Sequence, residues 1–251
     1  MNTLRRIKNQ VGVLVLVAAL IVMAFLLGRW QQDGAAPDTH PRISFEEFKR
    51  AIQMAGVWSG GPTRKYMDVG RQTFATSVSQ GLMPDHKVLD IGAGSLRIGW
   101  WLLQYVEPEN YHAIEPVRER VDTAAGLLGV DIHLYYNNDW EFPEVDFDFV
   151  VARSIWTHAS KDMIAKMISE FAENSSPEGR FLTSFIPAAN DAQDYKGKEW
   201  VGKVLKSDKA GMIRHSLEWV RNECRKHDLD VRTLDEQHGQ TWLLITRLAQ
   251  R

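Results

Sequence analysis

Residues 87–99, Lys-Val-Leu-Asp-Ile-Gly-Ala-Gly-Ser-Leu-Arg-Ile-Gly, carry the pattern with the clearest chemistry. Val88-Leu89-Asp90-Ile91 is a short apolar run that reads as a buried parallel strand. It ends in a turn holding Gly92, Gly94 and Ser95, and the apolar stretch Leu96 to Val106 predicts a helix directly after it. Strand, Gly-rich turn and helix form a holder for a nucleotide-like cofactor. The glycines let the backbone approach the ligand, and the helix N-terminus offers unpaired N–H groups.

The turn also narrows the cofactor. A dinucleotide turn is Gly-x-Gly-x-x-Gly, with its third glycine seating the helix on the strand. Here that third position is Arg97, and the next glycine, Gly99, comes two residues late. Asp90 lies two residues before the first glycine, at the strand tip, and is expected to aim its charge into the crevice. That suits a cofactor with an ammonium and a sulfonium better than a pyrophosphate. Asp-x-Gly-x-Gly after a strand resembles the first motif of the class I S-adenosylmethionine (SAM) dependent methyltransferases. Arg97 falls in the expected first helical turn, where a cation opposes the macrodipole and needs a partner. That partner is the methionine carboxylate of SAM, or else Asp90 or Glu115.

Further candidates follow in chain order. Glu115 ends a second expected strand, Tyr111 to Glu115, and an acidic side chain there can accept both hydroxyls of a ribose. Asn137-Asn138-Asp139-Trp140 follows a third strand; Asp139 can accept from an adenine amino group and Trp140 can stack on the ring, or the segment is simply a turn. Phe147 to Ala152 reads as a fourth strand, and Arg153-Ser154-Ile155-Trp156-Thr157-His158 leaves it. His158 could serve as general base for a hydroxyl or amine nucleophile, because histidine titrates near neutrality. Its alternative role is a loop or helix-capping histidine.

These residues need elements to hold them. Ser44-Phe45-Glu46-Glu47 is a capping box opening a helix to about Met54, and Thr63 to Gln80 reads as a second helix. Pro116 to Leu128 is a helix closed by Gly129, and Ser160 caps another to about Glu173. Ile132 to Tyr136 is the third strand and Gly179 to Ile186 a fifth. Ser216 caps a helix to His227, and residues 230–234 and 241–246 form two late strands around Gly239. Alternating strands and helices define an α/β fold: a doubly wound, mostly parallel, Rossmann-like sheet with a C-terminal antiparallel hairpin. Ligands in such sheets sit beyond the carboxyl ends of the strands, where Asp90, Glu115, Asp139 and 153–158 converge. The two N-terminal helices and segment 187–215 are expected to roof the site. The segment's lysines, with Tyr195 and Trp200, fit an anionic or membrane-surface substrate, or a solvated loop.

The chain has 251 residues, 44% hydrophobic and 25% charged, enough for one full-sized domain. Its net charge of −2 shows no basic excess for nucleic acid. The lone Cys224 excludes an internal disulfide, and no His/Cys cluster has metal-ligand spacing. Residues 1–10 form a short basic tail, 11–28 an uncharged apolar run, 29–42 a linker, and 43–251 the catalytic domain. At about 1.5 Å per residue the apolar run just spans a bilayer core, so it reads as a single transmembrane helix, closed by Arg29-Trp30. A cleaved signal peptide is the rival reading. The basic tail argues for an exported domain and the cytosolic supply of SAM for a cytosolic one; the cytosolic side is favoured.

From about Thr63 to Arg247 the chain resembles a class I SAM methyltransferase. It looks most like a bacterial group of unassigned substrate, with Gly-Ser-Leu-Arg after the first strand, Ser-Ile-Trp-Thr-His after the fourth and Gly-Gln-Thr-Trp, here Gly239 to Trp242, in the last hairpin. The resemblance implies SAM as cofactor, with Gly92, Gly94, Ser95, Arg97, Glu115, Asp139, Trp140 and Arg153 around it, and a small-molecule, lipid or glycan-type acceptor. Leu96 replaces the third glycine of the broader Gly-x-Gly-x-Gly pattern. Alternatives from other classes are a catalytically silent SAM-binding scaffold and a nicotinamide oxidoreductase.

Overall fold

The computed structural model describes residues 41–57, 66–202 and 211–248. Its strands are β1 Val88–Ile91, β2 Tyr111–Ile114, β3 His133–Tyr135, β4 Phe147–Ala152, β5 Ser175–Phe185, β6 Leu229–Gln237 and β7 Gln240–Arg247. They join in one sheet of order β3-β2-β1-β4-β5-β7-β6. The first five are parallel, and β7 enters antiparallel between β5 and β6. The doubly wound sheet with a closing hairpin is therefore as the sequence pattern predicts. The hairpin turns through His238 and Gly239, both left-handed (φ 53° and 75°), between paired Gln237 and Gln240. Two successive positive φ values define the two-residue turn that matches strand twist.

Alternation along β1 and β4 sorts the core into two layers. Leu89, Ile91, Val150 and Ala152 face one cluster, with Ile164, Met167 and Phe171 of α5 (Lys161–Glu173) and Val220 and Cys224 of α6 (Leu217–Arg225). Val88, Phe149 and Val151 face the other, with Phe48 and Ile52 of α1 (Phe45–Ala55) and Val121, Ala124 and Leu128 of α4 (Arg118–Leu128). The helix starts follow the caps: Ser44 and Glu47 close a capping box, and Ser160 and Ser216 each accept from the third backbone N–H beyond them. The second expected helix is α2, Tyr66–Ser79.

Three expectations change. The helix expected over 96–106 contracts to one turn, α3 (Gly99–Leu102). Leu96 is left-handed (φ 54°) and donates to Ala93 O, so the glycine turn runs on for three residues before the helix begins. Arg97 thus precedes the helix, and the macrodipole argument for it lapses. Strand β5 starts at Ser175, not Gly179, because Phe147 pairs with Ser175 before a register shift leads to the Phe149–Arg180 pair. Finally, residues 11–28 lie outside the described residues, and none of the described helices is long and apolar enough to cross a membrane.

The late glycine, Gly99, has a packing role. A Cβ there would lie 2.5 Å from Tyr111 Oη and 2.9 Å from Leu96 Cδ2. Gly126, inside α4, has open space around the same position. Gly99→Ala is therefore expected to destabilise the domain by roughly 1–3 kcal/mol through overpacking. Gly126→Ala should stabilise it by about 0.5–1 kcal/mol through helix propensity. Urea denaturation of both variants checks the opposite signs.

Candidate active site

The carboxyl ends of β1, β2 and β4 surround a cleft of about 800 Å³, counted to its open mouth. Its floor is the turn after β1. Gly92 is left-handed (φ 71°), and its N–H and that of Ala93 both donate to Ile114 O, tying the turn to β2 (2.8 and 3.1 Å). A Cβ on Gly92 would clash with Ile155 Cδ1, so the loop after β4 rests directly on this glycine.

Glu115 at the tip of β2 is buried yet lines the cleft. Its Oε2 accepts from Gly94 N–H (2.9 Å) and its Oε1 from Val117 N–H (3.0 Å), with Arg120 at 3.7 Å. Burial pushes its carboxyl upward, against those two amides and Arg120. Each oxygen retains acceptor capacity beyond its one amide.

Trp140 also lines the cleft, but Asp139 does not. Trp140 is left-handed (φ 68°) and buried, while Asp139 is exposed and accepts from Glu141 N–H (3.2 Å). Asp139 belongs to the turn, so its expected contact with an adenine is not formed by this geometry. Trp140 stacks on Trp200 (centroids 5.5 Å apart, planes 16° apart), and Trp200 stacks on His158 (5.4 Å, 28°). The described part of segment 187–215 therefore reaches the site, through Trp200, and residues 203–210 lie outside the described residues. The N-terminal helices do not reach it: no described residue of α1 or α2 lines the cleft. Lys196 pairs with Asp191 and Asp194 outside it.

Asp90 corrects a second expectation. It shares the face of Val88, so its side chain enters the layer beneath the sheet instead of the crevice. It is buried, accepts from Tyr111 Oη (2.8 Å), and does not line the cleft. Burial, helped by the Glu115 charge, pushes its pKa to about 7, while Tyr111 and Arg97 pull the other way. Ser95 is likewise buried within the wall.

Arg97, Arg153 and His158 complete the lining. His158 Nδ1 lies 2.6 Å from Val201 O. A carbonyl only accepts, so that bond assigns the proton to Nδ1 and the lone pair to Nε2. Burial lowers the His158 pKa below the ordinary 6.5, opposed by the carbonyls of Val201 and Gly211, so the ring is neutral at pH 7. Arg153 donates to Ser154 Oγ (2.8 Å), and burial first, then the Arg97 charge, lowers its pKa to about 9. Ser154 is itself left-handed (φ 60°) and held by a polar net: its N–H donates to Ser184 Oγ (2.9 Å) and its Oγ accepts from Gln240 Nε2 (2.6 Å). Ser184 Oγ closes the net on Gln240 Oε1 (2.7 Å). Sequence reasoning missed this support, although Gln240 stands in the Gly-Gln-Thr-Trp segment.

A family model for methyltransferase domains matches residues 35–234. The chain belongs to this family and is a SAM-dependent methyltransferase. The fold is shared with a magnesium protoporphyrin IX methyltransferase from Synechocystis PCC 6803 with bound S-adenosylhomocysteine (SAH); identity is 18%, covering 81% of this chain and 95% of that one, at a TM-score of 0.56. It is shared with a SAM-dependent methyltransferase from Clostridium acetobutylicum ATCC 824, at 12% identity over 74% of this chain and 92% of that one (TM-score 0.54). A glycopeptide N-methyltransferase complexed with SAM aligns at 13% identity over 71% and 94% (TM-score 0.53). At these identities the likeness is one of fold. Family membership sets the nicotinamide alternative aside.

The buried Asp90 carries a pH signature. An unfolded Asp loses its proton near 3.8, whereas the native one keeps it to about 7. Native stability therefore falls as pH rises through that window. Asp90→Asn keeps an acceptor for Tyr111 without the charge. Its melting temperature, relative to the parent protein, should be higher at pH 8 than at pH 5; an equal difference at both would place the Asp90 pKa near its ordinary value.

Proposed function

We propose that this protein is a membrane-anchored enzyme, with its catalytic domain on the cytosolic side, that methylates an oxygen or nitrogen nucleophile of a small-molecule, lipid or glycan-type acceptor. The observation that carries the cofactor part is the Glu115 carboxylate, buried at the cleft wall and bonded to Gly94 N–H with acceptor capacity left. The donor set fits SAM. Glu115 holds the ribose hydroxyls, Trp140 stacks on the adenine, and the turn at Gly92 and Gly94 admits the chain close to the backbone. Arg97, which follows β1, receives the methionine carboxylate. SAM, when bound, supplies a methyl group on a sulfonium, which leaves as the neutral thioether of SAH once the methyl has bonded to the acceptor. His158 takes the nucleophile's proton on Nε2, while Val201 O fixes its tautomer. Trp200 shields the cleft from water. Most of the rate enhancement comes from positioning, with proton removal the smaller part.

The anchor reading rests on the uncharged run 11–28, between Arg5, Arg6 and Lys8 on one side and Arg29-Trp30 on the other. The cytosolic placement rests on where SAM is supplied.

Calorimetry on the detergent-solubilised full chain, titrated with SAM, SAH and NAD, tests this reading. SAM and SAH should bind and NAD should not. Glu115→Ala should weaken SAM by roughly tenfold or more, since charged hydrogen bonds are lost. Unchanged affinity would remove Glu115 from the site, and NAD binding alone would end the SAM reading. Recovery of the full chain in the soluble fraction without detergent would end the anchor.

With an acceptor found by screening, single-turnover rates should fall on the acid side with an apparent pKa below 6.5, because burial lowers the His158 pKa. His158→Gln should cost about a hundredfold in rate and abolish that limb, with SAM affinity unchanged. An identical limb in the variant would assign the proton transfer elsewhere.

A further inference from the structure

Arg153 is a cation built into the cleft with no acidic partner among the described residues. Its guanidinium donates to the neutral hydroxyl of Ser154, and no carboxylate among the described residues acts on it. The charge nearest in effect is another cation, Arg97. A half-buried guanidinium normally sits against a carboxylate, because desolvation without a counter-charge is costly. Here the surroundings hold it in place instead. Ser154 is kept in a left-handed conformation by Ser184 and Gln240, and that strained residue positions the guanidinium.

Charge balance across the cleft points the same way. Of the arginines that line the cleft, Arg120 faces Glu115 and Arg97 acts on the buried Asp90, whereas no carboxylate among the described residues acts on Arg153. SAM brings one carboxylate, one ammonium and one sulfonium, so binding it adds a further positive charge. The lateral order of the site separates Arg97 from Arg153. Glu115 ends β2, Arg97 follows β1, and Arg153 follows β4, with neighbouring strands about 4.8 Å apart. Arg153 thus lies about two strand spacings from the ribose site, on the loop that carries His158.

We infer that Arg153 is the acceptor-recognition residue, and that the methyl acceptor carries an oxyanion, a carboxylate or phosphate ester, which docks on its guanidinium beside His158. This inference rests on the SAM-site reading above. The oxyanion takes the fork of Arg153 in a bidentate grip and supplies the missing counter-charge. It places the nucleophile on the β4 side of the cleft, within the loop that holds the base. Ile155 and Trp200 offer apolar walls to the organic part of the acceptor.

The test uses full-chain enzyme saturated with SAH and titrated calorimetrically with benzoate, phenyl phosphate and the neutral benzamide. At least one anion should bind and benzamide should not. Arg153→Gln should weaken that anion by roughly tenfold or more, and leave SAM and 5′-methylthioadenosine, which lacks the amino-acid part, within about twofold. Arg153→Lys should fall between, since it keeps the charge and loses the fork; it decides the matter if the glutamine variant does not fold. Absence of anion binding up to high millimolar concentration, or equal binding to all three proteins, would overturn the inference and leave the SAM reading standing. A tenfold loss of SAM affinity with 5′-methylthioadenosine unchanged would assign Arg153 to the cofactor's carboxylate and overturn it too. Failure of the parent protein to bind SAH would end both readings.

Discussion

One carboxylate joins the two loops on which the site depends. Glu115 accepts from Gly94 in the turn after β1 and from Val117 at the entry to α4. Burial makes that charge costly, and the two amides and Arg120 offset the cost. The consequence is geometric. The turn after β1 is pinned on one side by Ile114 O and Glu115, and on the other it is overlain by Ile155. A side chain at Gly92 would displace Ile155 and would have to adopt a left-handed backbone. The cleft is a property of the packed strand ends and survives without a long helix behind the turn.

The antiparallel strand has a specific use. Parallel strands deliver their last residues to the ligand edge of the sheet. An antiparallel strand delivers its first residue there. Strand β7 therefore places Gln240 beside Ser184 near the end of β5 and Ser154 just past β4, though these residues are far apart in sequence. The net they form is buried at Ser184 and Gln240 and supports the strained Ser154 at the cleft. The polar side chains nearest the chemistry are thus held by a hairpin that takes no part in the cleft lining.

Much of this was legible in the chain. Residues 147–152 are apolar apart from Asp148 because both faces of β4 are buried, and the bounds of that strand follow directly. Ser44, Ser160 and Ser216 announced their helices, and Gly129 closed one. Glu115, Trp140, Arg153 and His158 line the cleft because the ends of the parallel strands and the loops beyond them share one edge. What failed was orientation. The period of two along β1 assigns Asp90 to the face of Val88, yet its charge suggested the crevice. Asp139 and Trp140 are adjacent, and the left-handed φ of Trp140, which sends one in and the other out, has no signature in a bulky aromatic residue. Leu96 hid its left-handed turn for the same reason.

The stack of Trp140, Trp200 and His158 has an implication for timing. Trp200 and Val201 are adjacent: one ring covers the cleft and the other residue's carbonyl holds the imidazole proton. Any movement of this stretch wide enough to release a product also frees His158 from the contact that sets its tautomer. Cleft wall and imidazole orientation are thus coupled through two consecutive backbone positions.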